Sequence, residues 1–167
     1  MQPTLFAVDT NFLLDLALPK DIAHDAHALI RRRVSGAQII ATQTVLDELE
    51  HFATQDADPA MRQLATKALK NIPAWQITPI LFSDAQSILA ERIANDLRDK
   101  GIIPEEEVSD SQILAEAALL DCQILLSADK HLRDADRTRL SLALQSSGVA
   151  VVIVCKPVEI VSMFAGR

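Results

Sequence analysis

At 167 residues, 49 % apolar and 23 % charged, the chain has the composition of an ordinary soluble globular protein. It is long enough to bury about 70 % of its unfolded surface as one domain, residues 1–167, with no need of a disulfide or a structural metal. A formal charge of −7 excludes a protein that coats nucleic acid through bulk positive charge. It does not exclude a nuclease, whose acidic site would contribute several of those charges and whose substrate needs only a local basic strip.

The first residues lack the basic start and long apolar core of a signal peptide. The longest unbroken apolar run, Val149 to Cys155, falls far short of the roughly 18 residues of a membrane span, so a cytoplasmic location is expected. Cys122 and Cys155 lie in apolar surroundings without a C-x-x-C partner and read as buried free thiols.

Leu5-Phe6-Ala7-Val8 runs without a break into Asp9-Thr10-Asn11, and a helical pattern begins at once with Phe12. A continuous apolar run of this kind reads as a strand covered on both faces, as in a parallel sheet flanked by helices. Asp9 would stand at the strand's carboxyl end, where open α/β sheets bind ligands, although Asp9 or Thr10 could equally cap the next helix. That helix ends near Pro19, and Asp21 is expected to cap a second one that Gly36 closes. The three arginines at its end, Arg31 to Arg33, read as a solvated helix terminus in favourable contact with the dipole rather than as a phosphate site.

Ala37 to Ala41 is a second strand, and Thr42 or Thr44 opens a helix through Phe52. Its apolar stripe includes Val45, Leu46, Leu49 and Phe52, with Glu48 and Glu50 flanking it on opposite sides, so either acid could lean over the sheet edge. Asp58-Pro59 starts a helix that runs to Ile72. Gln76 to Ile80 is a short extended piece that Pro79 confines to an edge. Ser83 with Gln86 matches a capping box for the next helix, which Gly101 ends.

Ile102 to Val108 is a loop whose three acids, Glu105 to Glu107, read as solvated. Ser109 with Gln112 suggests a second capping box, opening a helix that is apolar almost all round, with Asp110 in its first turn. Gln123 to Asp129 repeats the opening design of an apolar strand ending in a hydroxyl residue and an acid. A helix over Arg137 to Ser146, a strand over Val149 to Val154 and a short helix from Pro157 to Phe164 complete the chain. Strands alternating with helices imply right-handed crossovers and a three-layer α/β/α sandwich with a mostly parallel central sheet.

If the strands are parallel, Asp9 and Asp129 enter one crevice, Asp110 begins the helix that feeds the Asp129 strand, and Glu48 lies about two turns into the helix leaving the second strand. Four carboxylates so placed raise one another's pKa unless something cancels the field, and all-oxygen ligands suit Mg²⁺ or Mn²⁺ better than zinc. Two such ions roughly 4 Å apart would activate a water and stabilise the leaving oxygen in phosphodiester hydrolysis. No histidine constellation competes. Among His24, His27, His51 and His131 only His131 lies near a proposed acid, and it reads as a surface residue.

At this point the sequence resembles the PIN-domain ribonucleases. The resemblance rests on Val8-Asp9-Thr10-Asn11, on Glu48-Leu49 within Thr44 to Leu49, on Asp110 within Ser109 to Ala117, and on Leu126-Ser127-Ala128-Asp129, in the family's order and across about Leu5 to Pro157. It implies Asp9, Glu48, Asp110 and Asp129 as the acidic set that binds Mg²⁺ or Mn²⁺, with Asn11 and Ser127 as polar helpers, and it selects Glu48 over Glu50. It further implies an endoribonuclease acting on RNA and, as in many small prokaryotic members, the toxin half of a toxin–antitoxin pair, a homodimer silenced by an antitoxin protein. The chain is somewhat longer than the shortest such toxins, with the excess falling in Thr54 to Val108. Lys130, His131, Arg133, Arg137 and Arg139 follow Asp129 and could hold the RNA backbone, or be an ordinary solvated face. Two other readings stay open. One is a PIN-like module that binds metal or protein without turnover. The other is a haloacid-dehalogenase-like phosphatase, disfavoured because its second Asp is here Asn11.

Overall fold

The computed structural model describes residues 2–165. A five-stranded, wholly parallel sheet forms the centre, built from β1 (Leu5–Val8), β2 (Gln38–Ala41), β3 (Ile77–Pro79), β4 (Ile124–Leu126) and β5 (Ile153–Cys155). The spatial order is β3-β2-β1-β4-β5. The chain therefore builds outward from β1 to β3, then returns to the other side of β1 to lay down β4 and β5. The reversal between β1 and β4 leaves a crevice at their carboxyl ends, the ligand-binding position of open α/β sheets. Phe6, Ala7 and Val8 are all buried although successive strand residues face opposite ways, so both faces of β1 are covered.

The covering helices are α1 (Thr10–Ala17), α2 (Asp21–Arg33), α3 (Gln43–Gln55), α4 (Pro59–Asn71), α5 (Asp84–Asp99), α6 (Val108–Leu119), α7 (Lys130–Arg133), α8 (Arg137–Ser146) and α9 (Pro157–Ala165). Helix α6 is buried almost all round, from Ile113 through Ala118, as its composition predicts. Asp58 caps α4 through the Ala60 amide at 2.9 Å, and Ser83 with Gln86 forms the capping box of α5. Cys122 and Cys155 are free and buried. No helix among the described residues is long and apolar enough to cross a membrane.

Local expectations fail in four places. The Ser109–Gln112 capping box does not form: the turn in which the Glu107 amide donates to Pro104 O (3.0 Å) already winds the backbone, so α6 starts at Val108 with Glu107 at its cap position. The last strand is shorter than Val149 to Val154, because β4 offers only Ile124–Leu126 as pairing partners and β5 is confined to Ile153–Cys155. Asp21 is the first residue of α2 rather than its cap, which is Lys20. Gly36, at φ +70°, makes the turn into β2 after α2 has ended at Arg33. Helix α7 has no counterpart among the expected elements.

Candidate active site

The ladder between β1 and β4 continues one step past β1, with the Asp9 amide donating to Leu126 O at 3.1 Å. That step sets Asp9 beside Ser127 at the carboxyl edge. Asp9 is only 4 % exposed. Its Oδ1 accepts the Phe12 amide at 2.8 Å, which caps α1, and its Oδ2 accepts the Ser127 hydroxyl at 2.5 Å. Ser127 Oγ in turn accepts the Asp129 amide at 3.0 Å. Asp129 caps α7 through the His131 amide at 2.7 Å and the Leu132 amide at 3.3 Å. Capping and membership of an acidic cluster are thus compatible roles for one carboxylate, since each oxygen has two lone pairs.

Burial is the main force on Asp9 and pushes its carboxyl up to about 6; the Ser127 and Phe12 hydrogen bonds pull the other way, and the charges of Asp129 and Asp15 add to the rise. Asp110, at the third position of α6, is also pushed up, first by burial, then by the Asp129 charge and by a hydrogen bond with the Asp129 carboxyl, with smaller contributions from Glu107 and Asp9. The structure therefore brings Asp9, Asp110 and Asp129 into mutual electrostatic contact.

Glu48 approaches from α3, where its carboxylate accepts the hydroxyl of Thr10, the first residue of α1. Glu50 on the same helix is exposed. Among the described residues, no three His, Cys, Asp or Glu side chains stand in a geometry that already cages a cation. Asn11 is exposed on the first turn of α1. The basic residues do not form one strip. Lys130 lines an open hollow with His131 and Arg139 against Gly101–Pro104, whereas Arg133 and Arg137 line a separate groove along Val151–Val154. Arg133 pairs with Asp134 at 3.0 Å, and His131 with Glu107 at 3.1 Å.

Glu116, a residue outside the expected site, is 2 % exposed in the C-terminal half of α6. Its carboxylate accepts both the amide (3.1 Å) and the hydroxyl (2.7 Å) of Thr44 in the first turn of α3. This contact ties the helix bearing Asp110 to the helix bearing Glu48. Its sequence signal was available: a lone acid within a helix apolar all round is buried and must be partnered.

Three solved structures share the fold over almost the whole chain. A chain of VapBC2 from Rickettsia felis, bound to a DNA fragment from their promoter, is 15 % identical with a TM-score of 0.61, over 92 % of this chain and 98 % of that one. For FitAcB from Neisseria gonorrhoeae the identity is 16 % and the TM-score 0.54, with 91 % and 97 % covered. For VapBC-5 from Mycobacterium tuberculosis, a member of the VapBC family of toxin-antitoxin systems, the values are 19 % and 0.52, with 92 % and 99 % covered. At these identities the likeness is one of fold. No curated protein matches the chain at a significant level. The PIN domain family model matches residues 6–138, from the first strand past Asp129, and the chain belongs to the PIN domain family.

Proposed function

We propose that the protein is an endoribonuclease that hydrolyses RNA phosphodiester bonds with Mg²⁺ or Mn²⁺ held by Asp9, Asp110 and Asp129 and flanked by Glu48. The observation that carries this reading is the convergence of Asp9, Asp110 and Asp129 at the carboxyl edge of the sheet, close enough that the Asp129 charge raises both other carboxyls. Two carboxyls pushed up by burial and by a neighbouring acid, Asp9 to about 6 and Asp110 with it, are a donor set in search of positive charge. An all-oxygen set of this kind fits a hard divalent cation, which when bound supplies Lewis acidity and a water of lowered pKa. Ser127 orients Asp9, the backbone caps fix Asp9 and Asp129, and Thr10 holds Glu48 beside them, where it would flank a bound cation. Asn11, exposed at the crevice mouth, and Lys130, Arg133 and Arg137 are the groups assigned to the RNA backbone, approached along two grooves rather than one.

The solved relatives are VapBC and FitAB assemblies, one of them from a toxin-antitoxin system by its own description. On that likeness we assign the chain the toxin's part, in the cytoplasm, as a homodimer with an antitoxin protein as partner. A second reading is cation or protein binding without turnover. Total RNA incubated with the protein and Mn²⁺, with EDTA and Asp9→Asn as controls, separates the two. Cleavage that needs both Mn²⁺ and Asp9 is the expected result. Stabilisation by Mn²⁺ with no cleavage would establish the binding module instead, and an Asp9→Asn protein as active as the parent would sink the nuclease.

A further inference from the structure

Thr42 follows β2 as Asp9 follows β1 and Ser127 follows β4. The registers Val8↔Ala41 and Val8↔Leu126 put these three residues in one row, one step beyond the paired strands. Both flanks continue the ladder there, since the Ile80 amide still bonds Ala41 O at 2.9 Å and the Ser127 amide bonds Cys155 O at 3.0 Å. Residues in register on adjacent parallel strands project from the same face, about 4.8 Å apart. Asp9 thus has a hydroxyl residue on either side. Ser127 reaches its carboxylate from the β4 side at 2.5 Å.

Thr42 Oγ1 is, among the described residues, the one buried side-chain polar atom with no hydrogen-bond partner, and the residue is 0 % exposed. Its expected employment is gone. Thr42 is the N-cap of α3, where a threonine oxygen ordinarily accepts an amide of the first turn, yet it makes no such bond. The Thr44 amide is taken instead by Glu116 at 3.1 Å, and the only capping by Thr42 is through its backbone, whose carbonyl accepts the Leu46 amide at 3.1 Å. Glu116 has released the Thr42 hydroxyl from the helix. Buried hydroxyls are rarely left so, and each exception calls for an explanation.

We propose that Thr42 is a positioning residue for Asp9, donating its hydroxyl to the carboxylate from the β2 side when Asp9 serves as a cation ligand, as Ser127 does from the β4 side. Rotation about χ1 exchanges its methyl and hydroxyl groups and needs no backbone movement. Carboxylates that ligate metals are themselves held by hydrogen bonds, and their loss typically lowers metal affinity 10–100-fold. This inference rests on the metal-site reading above.

Thr42→Val removes the hydroxyl at constant shape, and Thr42→Ser keeps it. With Mn²⁺ alone as probe, calorimetry should find Thr42→Val binding about tenfold more weakly than the parent. Its metal-free melting temperature should rise by about 2–4 °C, because an unpartnered buried hydroxyl is gone. Thr42→Ser should recover the parent affinity. Should the valine protein fail to fold, Thr42→Ala against Thr42→Ser carries the same contrast. Parent-like Mn²⁺ affinity in Thr42→Val overturns the inference, and so does equal weakening in Thr42→Ser, which would assign the effect to altered packing at the position rather than to the hydroxyl. A parent that binds no Mn²⁺ in an Asp9-dependent way overturns the metal site itself, a different result from either.

Discussion

The two ends of the central sheet are made of the same short strands and treat polar groups in opposite ways. At the amino end, Gln123 lies in the open and partners everything near it: its Oε1 accepts the Leu5 amide at 2.6 Å, its own amide bonds Leu5 O at 3.1 Å, and its Nε2 donates to Asp121 O at 3.0 Å. Gln38, also exposed, bonds Thr4 O at 2.9 Å through its amide. At the carboxyl end, Asp9, Thr42 and Ser127 are buried, one carboxyl is pushed up by burial and one hydroxyl has no partner. The amino end shows that this sheet can terminate with exposed, satisfied amides. Buried acids at the other end are therefore no requirement of the fold, and they cost stability that a bound cation would return.

The largest effect that separates the two ends is on chemistry. Asp9→Asn keeps the shape and leaves Oδ1 to accept the Phe12 amide, so the protein should fold, yet RNA cleavage should fall roughly 100-fold or more, beyond the range typical of groups that only support a ligand. If cleavage in that variant is within a few-fold of the parent, the buried acids are not the site.

The second effect is on stability and has a definite sign. Asp9 moves from 3.8 to about 6 on folding, so the folded state holds its proton more tightly. Without metal, its contribution is fully present below pH 3.8 and is lost as pH rises through about 6, a difference of about 3 kcal/mol at pH 7. Asp110 acts in the same direction. The half-buried His27 is pushed down by burial and acts oppositely as it deprotonates. The quantity to measure is thus the parent minus Asp9→Asn, from urea midpoints in EDTA at pH 5 and pH 7.5. The asparagine variant should be the more stable at pH 7.5, and Mn²⁺ should narrow the gap by stabilising the parent alone. Identical pH profiles would remove the electrostatic half of the comparison.

A third, smaller effect tests what holds the two acid-bearing helices together. Glu116→Ala leaves the Thr44 amide without its partner in a nearly dry place and should cost about 1–3 kcal/mol in chemical denaturation. Glu116→Gln retains an acceptor for that amide and an NH₂ group for the hydroxyl and should lie close to the parent. A glutamine variant as damaged as alanine would mean that the charge, not the tie between α3 and α6, is what matters.

Much of the carboxyl end was legible because it is written in local pattern. An apolar run ending in an acid marked β1 and β4, and helix order then carried Asp110 to the same edge. Asp9 caps α1 through the Phe12 amide and with its other oxygen accepts the Ser127 hydroxyl, so capping leaves the carboxylate free to face the crevice as well. What stayed hidden depends on contacts between distant residues. Thr44 and Glu116 are 72 positions apart, and nothing local to Thr42 says that its capping duty has been taken by another helix. The run of cations after Asp129 reads as one strip in sequence, but α7 and α8 each send residues to two separate hollows, Lys130 and Arg139 to one and Arg133 and Arg137 to the other. The Ser109–Gln112 pattern failed for a related reason, the preceding turn having already fixed where α6 begins.

The smallest expected effect is at the amino end. Gln123→Ala deprives the Leu5 amide of its side-chain acceptor, but the position is exposed and water can replace it, so the loss should sit near 0.5 kcal/mol, the low end for a hydrogen bond. Four steps along the strand separate Leu5 from Asp9 by roughly 13 Å, beyond the distance at which substitutions usually couple. Cleavage and Mn²⁺ affinity should therefore match the parent, and the stability changes of Gln123→Ala and Asp9→Asn should add within about 0.5 kcal/mol in the double variant. A larger coupling would mean that β1 transmits strain from one end to the other, and that satisfaction at the amino end is part of how the acids are held at the carboxyl end.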